Sequence, residues 1–204
     1  RLLLIDHALR GGPTASGQMT QSLFGGWPDD AILQLWQPRA GEIGLAGAGA
    51  AAPEEVASAE AAAKLISAFA PDLLLYRPVA GLPRFHARAM DAIATSGRPF
   101  ALWTARDWEA EAGDESEEGL GDLVADWRRL TALAAVNFGG GEALGAALAA
   151  RYGAAFQSLA PGVDPAVLAE PASRPPGPFR LRHAGTIGAR RNLDSLARVA
   201  RAVE

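Results

Sequence analysis

Residues 1–24, "RLLLIDHALRGGPTASGQMTQSLF", contain the pattern that decides the fold. An apolar run of buried-strand type, "RLLLID", leads through a Gly-rich turn into a helical pattern that opens near Ser16, a plausible N-cap. The same order recurs along the chain. Because near-continuous apolar strands alternate with helices, we predict an α/β fold with a mainly parallel sheet and helices on both faces, a Rossmann-like three-layer αβα architecture.

The other predicted elements follow the same alternation. The predicted strands cover residues 1–6, 31–37, 72–78, 99–105, 134–140 and 154–160. The predicted helices cover residues 16–27, 53–70, 82–97, 119–134 and 141–153. The helix from Pro53 opens with acidic residues, and the helix ending near Gly97 has a likely C-terminal glycine. The Gly/Ala-rich stretch 38–52 is predicted to be a loop.

A Pro-rich stretch divides the chain into two predicted domains. Residues 161–178, "PGVDPAVLAEPASRPPGP", have the composition of a linker. They separate a domain over residues 1–160 from a single strand–helix unit over residues 179–204. We predict that this last unit begins a second Rossmann-like domain.

Composition limits the classes of function. Hydrophobic residues make up 49% and charged residues 21% of the 204 residues, as in soluble globular proteins. The net charge of -4 argues against nucleic acid as the main partner. The absence of cysteine excludes disulfides and thiolate chemistry, and no apolar run approaches the length of a membrane span.

Two features of the sequence were considered as cofactor or metal sites. The letters "GAGAAA" at 47–52 match a dinucleotide fingerprint, but they follow a poor strand, and Pro53 restarts the helix after them. A low-complexity loop is the favoured interpretation. The three histidines, His7, His86 and His183, lack metal-ligand spacing, so no metal site is expected. His86 lies in a helical pattern and is predicted to be structural.

Several residues lie where predicted strands end, and ligands in open α/β sheets bind at that edge. His7 follows the first strand, and Asp107 and Trp108 follow the fourth. The Gly-rich turn before Ser16 either receives an anion at the helix N-terminus or is a plain strand–helix turn. Arg190 and Arg191 suit phosphate oxygens, with a solvated pair as the alternative.

The order of these pieces resembles the N-terminal part of a glycosyltransferase with the GT-B fold, of the broad group 1 that is similar to family 4. Five segments carry the resemblance: "GGPTASGQ", "LFGGWPDD", "ALWTARDWEAE", "AARYGAAFQSLAPGVDPAV" and "HAGTIGARRNLDSLARVA". Two motifs depart from the family pattern, since Pro161 replaces the usual Asn of Asn-Gly-Val-Asp and Arg191–Asn192 replaces a Lys-Gly. The donor-sugar motif Glu-x7-Glu is expected beyond Glu204.

The resemblance implies transfer of a sugar from a nucleotide-sugar to a glycan or lipid-linked acceptor, with retention at the anomeric carbon. It implies no metal or other cofactor, and residues 1–204 alone are expected to be inactive. The implied donor-side residues are Gly12, Ser16, Gly17, Gly185, Arg190 and Arg191. The implied acceptor-side residues are His7, Arg77, Asp107 and Trp108. No catalytic base is assigned.

The resemblance further implies a bacterial, cytoplasmic enzyme of polysaccharide biosynthesis, and peripheral attachment to the inner face of the membrane stays open. Two other functions are also open. One is a Rossmann-fold NAD(P)-dependent oxidoreductase, which needs a Gly-rich turn directly after a strand and an acidic residue about twenty positions further on. The other is a non-catalytic interaction domain that keeps only the fold.

Overall fold

The computed structural model describes residues 1–37, 44–47, 54–55, 59–111 and 120–159. The chain divides into two units, Arg1–Val163 and Asp164–Glu204, and every described residue lies in the first. The predicted linker over 161–178 and the predicted unit over 179–204 therefore lie outside the described residues.

Strands and helices alternate through the described ranges. The strands are β1 (Leu2–Asp6), β2 (Ile32–Trp36), β3 (Gly44–Gly47), β4 (Glu54–Glu55), β5 (Leu73–Arg77), β6 (Phe100–Thr104), β7 (Val136–Gly139) and β8 (Phe156–Ser158). The helices are α1 (Ala15–Phe24), α2 (Ala59–Phe69), α3 (Pro83–Ser96), α4 (Trp108–Glu111), α5 (Leu120–Leu133) and α6 (Glu142–Tyr152). All six predicted strands are present, as β1, β2 and β5 to β8. Of these helices, none is long and apolar enough to cross a membrane.

The strands form one sheet in the order β4-β3-β2-β1-β5-β6-β7-β8. Within the run β2-β1-β5-β6-β7-β8, each strand is parallel to the next one. Strands β3 and β4 add an antiparallel edge next to β2. The predicted α/β, Rossmann-like fold with a mainly parallel sheet is thus confirmed.

The antiparallel edge corrects two predictions. Residues 44–47 of the predicted loop form β3, in which Leu45 pairs with Leu35 of β2. Glu54 pairs with Leu45, so the predicted helix over 53–70 begins only at Ala59. The local sequence preference is for a loop over 38–52 and for a helix start at Pro53. Without β3, however, one edge of β2 would have unpaired backbone groups, so strand pairing outweighs the local preference.

Side chains of the strands alternate between two apolar layers. In β1, Leu3 and Ile5 join the larger core cluster, whereas Leu2 and Leu4 join the smaller one. The larger cluster packs against helices α2, α3 and α5, and the smaller one packs against Met19 of α1. Both faces of the central strands are buried, which explains why their sequences are apolar without alternation.

Helix ends follow the expected chemistry in part. Pro83 occupies the first turn of α3, and Gly97 closes that helix in the left-handed conformation with φ of 59°, as predicted. The prediction for α1 was wrong by two residues, because Thr14 is the N-cap, and its side chain accepts a hydrogen bond from Gly17 N. Ser16 lies inside the first turn of that helix.

A polar chain runs through the larger core cluster and links three elements. The hydroxyl of Tyr76 on β5 lies 2.7 Å from His86 Nδ1 on α3, and His86 Nε2 lies 3.1 Å from Asp126 Oδ2 on α5. Burial and the Asp126 charge raise the pKa of Tyr76, so this hydroxyl keeps its proton. Hydrogen bonds thus join β5, α3 and α5 through these three side chains. This arrangement gives the buried His86 the structural role that its helical setting predicts.

We expect the Tyr76→Phe substitution to lower the free energy of unfolding by about 1–3 kcal/mol, because His86 Nδ1 then lies buried without its hydrogen-bond partner. Urea unfolding followed by circular dichroism measures this change. Tyr152→Phe is the matched control, because the Tyr152 hydroxyl bonds Asp107 in a half-buried position. Equal stability of the Tyr76 variant and the parent protein would contradict a structural role for the Tyr76–His86 hydrogen bond.

Candidate functional site

The strand order contains one point at which the chain reverses its direction of travel across the sheet. From β1, the chain moves outward to β2 on one side, and it later returns to β5 on the other side of β1. In open α/β sheets, the crevice at the carboxyl ends of the two strands that flank such a switch point is where ligands bind. The residues that end β1 and β5 are Asp6 and Arg77.

Asp6 and Arg77 form a buried, two-pronged ion pair across this switch point. Arg77 Nε donates to Asp6 Oδ2 at 2.7 Å, and Arg77 Nη2 donates to Asp6 Oδ1 at 2.6 Å. The Asp6 side chain is fully buried, and that of Arg77 is 10% exposed. The fork geometry fixes the plane of the guanidinium group.

The Asp6 carboxylate has further partners. It accepts hydrogen bonds from Ala8 N at 3.1 Å and from the hydroxyl of Thr20 on α1 at 3.1 Å. Burial alone would raise the pKa of Asp6, but contacts with His7 and Arg77 and the Arg77 charge outweigh it. The pKa of Asp6 therefore lies below its ordinary value. Asp6 is a charged anchor that fixes Arg77 and the loop after β1.

Arg77 also contacts Trp103 of β6. Its guanidinium carbon lies 5.3 Å from the centre of the Trp103 ring, within the range of a cation–π contact. Both hydrogen bonds to Asp6 use Nε and Nη2, and among the described residues Nη1 has no hydrogen-bond acceptor. Arg77 thus combines a fixed orientation with donors that remain for a ligand.

Gln34 of β2 fastens the loop that follows β1. Its side-chain oxygen accepts a hydrogen bond from Arg10 N at 2.9 Å, and its nitrogen donates to Ala8 O at 2.8 Å. Gln34 is 2% exposed, in a strand that is otherwise apolar. We name Asp6, His7, Thr20, Gln34 and Arg77 the switch-point cluster.

His7 lies at the edge of this cluster, as its position after the first strand predicts. Its Nδ1 is 3.2 Å from Asp6 Oδ1, but without hydrogen-bond geometry to a described partner. The side chain of His7 is 17% exposed. His7 and Arg77, both predicted as acceptor-side residues, are therefore brought together at the carboxyl edge of the sheet.

The Gly-rich turn packs tightly onto the start of α1. Gly11 N donates to Gly17 O at 3.0 Å, and Gly12 N donates to Leu9 O at 2.9 Å. A Cβ atom at Gly17 would lie only 2.4 Å from Leu9 O. Gly17 is thus required by close packing of the turn, whereas the donor-side role predicted for Gly12, Ser16 and Gly17 stays a prediction.

Asp107 and Trp108 lie in a different environment from the switch-point cluster. Asp107 Oδ2 forms an ion pair with Arg151 Nε at 3.2 Å, and its Oδ1 accepts from the Tyr152 hydroxyl at 3.1 Å. Burial, followed by the charge of Asp107, raises the pKa of Tyr152 to about 12. Trp108 is 3% exposed within the larger core cluster. Asp107 is thus held by polar contacts and Trp108 by packing, and their predicted acceptor-side role stays a prediction.

The donor-side predictions for Gly185, Arg190 and Arg191 lie outside the described residues. Within the ranges that are described, no three histidine or acidic side chains gather as metal ligands. Sequence reasoning missed Asp6, Thr20 and Gln34. The available signal was a polar side chain inside or at the end of an apolar strand run, as in "RLLLID" and "AILQLWQ".

These observations define a Rossmann-like α/β protein with a charged, pre-oriented cluster at its switch point. Comparisons of the chain with protein-family models, with curated proteins and with solved structures find no match.

Proposed function

We propose that this protein is a nucleotide-sugar-dependent glycosyltransferase and that the described unit is its acceptor-side half. The observation that carries the proposal is the Asp6–Arg77 pair at the switch point between β1 and β5. A guanidinium group fixed at this edge is suited to bind hydroxyl or phosphate oxygens of a sugar acceptor. The sequence resemblance to group 1 glycosyltransferases supplies the reaction class.

In the proposed enzyme, the residues of the switch-point cluster bind and orient the acceptor. Arg77 donates hydrogen bonds to acceptor oxygens, and Asp6 keeps its guanidinium group in place. His7, next to Arg77 and partly exposed, contacts the same acceptor. Arg190 and Arg191 are proposed to stabilise the leaving diphosphate, because positive donors in place before the reaction lower the barrier. Transfer is proposed to retain the anomeric configuration and to need no metal.

The oxidoreductase alternative is less well supported. The turn after β1 has no G-x-G-x-x-G sequence, and β2 is followed by Gln37 where a dinucleotide site needs an acidic residue for the ribose. Protection of the protein from thermal unfolding by NAD would revive this alternative.

The direct test is a donor screen on the full-length gene product, with release of the nucleoside diphosphate as the readout. We expect release with at least one UDP- or GDP-sugar in the presence of a glycan or lipid-linked acceptor. Arg77→Lys keeps the charge opposite Asp6 but loses the fork, so we expect kcat/KM for the acceptor to fall about tenfold or more with the KM for the donor unchanged.

Arg98→Lys is the matched control, because Arg98 is exposed in the turn between α3 and β6. Circular dichroism of each variant checks that the fold is intact. If none of the nucleotide-sugars in the screen releases its nucleoside diphosphate, the proposed reaction is overturned. An unchanged kcat/KM in Arg77→Lys would instead overturn the acceptor role of Arg77 alone.

A further inference from the structure

The two ring nitrogens of His7 lie in different surroundings. Nδ1 is buried and faces Asp6 Oδ1 at 3.2 Å. Nε2 has no hydrogen-bond partner among the described residues and keeps contact with solvent, in a side chain that is 17% exposed. His7 directly follows β1 at the carboxyl edge of the sheet, where ligands bind in open α/β folds. A ligand bound at this edge can therefore reach Nε2 but not Nδ1.

The charge of Asp6 decides which nitrogen of the neutral His7 ring carries the proton. Asp6 is ionised at neutral pH, because its pKa lies below the ordinary value. A carboxylate oxygen only accepts hydrogen bonds, so a lone pair on Nδ1 would face a negative charge at 3.2 Å. Even without the angle of a full hydrogen bond, this charge favours the proton on Nδ1. Nε2 then keeps its lone pair and is able to take up a proton.

Asp6 also places His7 beside Arg77. The same oxygen, Asp6 Oδ1, faces His7 Nδ1 at 3.2 Å and accepts a hydrogen bond from Arg77 Nη2 at 2.6 Å. Across the described ranges, Asp6 and Arg77 are the charged groups that lie at this side chain. Hydrogen bonds from Ala8 N and the Thr20 hydroxyl hold the carboxylate in place. An acceptor with one oxygen bound by Arg77 thus has its neighbouring hydroxyl next to the His7 ring.

We propose that His7 Nε2 is the general base of the transfer reaction and takes the proton of the acceptor hydroxyl. The hydroxyl oxygen forms a bond to the anomeric carbon, and the bond from that carbon to the diphosphate oxygen breaks. Its electron pair leaves with the nucleoside diphosphate, and the hydroxyl proton passes to Nε2. The imidazolium that forms is stabilised by the charge of Asp6. This inference rests on the proposed glycosyltransferase function and adds a catalytic residue to it.

His7→Gln tests this role in the full-length gene product, with the donor and acceptor that the screen identifies. The glutamine amide can donate to Asp6 but cannot take up a proton. We expect kcat to fall about a hundredfold or more while the KM for the donor stays unchanged. The decline of kcat/KM at acidic pH, where the parent enzyme protonates its base, should be missing in the variant. A merely structural role would leave the shape of the pH profile unchanged.

Nuclear magnetic resonance of the protein labelled with [¹⁵N]histidine gives a second readout that does not depend on turnover. With the His7 signals assigned through its backbone, we expect the neutral ring to carry its proton on Nδ1. This measurement uses the parent protein, so it decides the matter if His7→Gln does not fold.

The outcomes separate this inference from the function on which it rests. If the parent enzyme releases no nucleoside diphosphate from any donor, the proposed function fails, and the base role fails with it. If the parent enzyme is active, an equal kcat in a folded His7→Gln variant overturns the base role alone. A neutral His7 ring with its proton on Nε2 also overturns that role alone.

Discussion

Replacement of Arg77 by methionine is expected to lower the free energy of unfolding by about 3–5 kcal/mol at neutral pH. The reason is that Asp6 is fully buried and loses both hydrogen bonds of the fork, at 2.6 and 2.7 Å, together with the compensating charge. Equilibrium unfolding in urea measures this loss. Arg88→Met is the matched control with an expected change of about 0.5 kcal/mol or less, because Arg88 contacts the exposed Asp91 at 3.8 Å.

The pH dependence of this loss tests its electrostatic origin. In the parent protein the pKa of Asp6 is lowered, so its contribution to stability is present above the unfolded pKa of about 4 and is lost as the pH falls through the folded pKa. Without Arg77, burial raises the pKa of Asp6, and protonation then relieves the uncompensated charge. The difference in stability between Arg77→Met and the parent protein should therefore shrink between pH 7 and pH 3.

The double variant Asp6→Asn, Arg77→Met tests whether the loss in Arg77→Met comes from the unpaired charge of Asp6. When both charges are removed, no charge is left buried without a partner, so the double variant should be more stable than the sum of the two single losses predicts. Strictly additive losses, or a loss for Arg77→Met that does not change with pH, would show that the ion pair does not act as described.

Gly17→Ala is expected to destabilise the protein by about 3 kcal/mol, although alanine ordinarily stabilises a helix relative to glycine by about 1 kcal/mol. The added Cβ would lie 2.4 Å from Leu9 O and 3.0 Å from Gly12 O. Both are backbone atoms that cannot rotate away, so the turn after β1 must shift. That shift would displace Arg10, whose backbone nitrogen is bound by Gln34.

Gly121→Ala is the control for this prediction. Gly121 lies in the first turn of α5, and a Cβ atom there would meet nothing within 4 Å. We expect it to gain about 0.5–1 kcal/mol from helix preference alone. Thermal and urea unfolding of both variants give the comparison, and a Gly17→Ala variant as stable as Gly121→Ala would refute the packing role of Gly17.

Only some residues of the candidate site could be predicted from the sequence. His7 was predicted to follow a strand, and Arg77 was named through the resemblance; both lie at the carboxyl edge of the sheet. Asp6 was not singled out, although it shares two hydrogen bonds with Arg77, because 71 positions separate the two residues and no local pattern links them. Trp108 was predicted from its place after a strand, and the structure adds that its ring is 3% exposed within the larger core cluster.

The sequence by itself determined the parallel strands, most of the helices and the α/β class. Each of these follows from a local quantity, the spacing of apolar residues and the glycines and prolines between them, as at Pro83 and Gly97. Tertiary structure alone decided the order of the strands, the antiparallel edge formed by β3 and β4, and the meeting of Asp6 with Arg77. These depend on which distant segments become neighbours, because backbone pairing and charge compensation are satisfied only across the completed sheet.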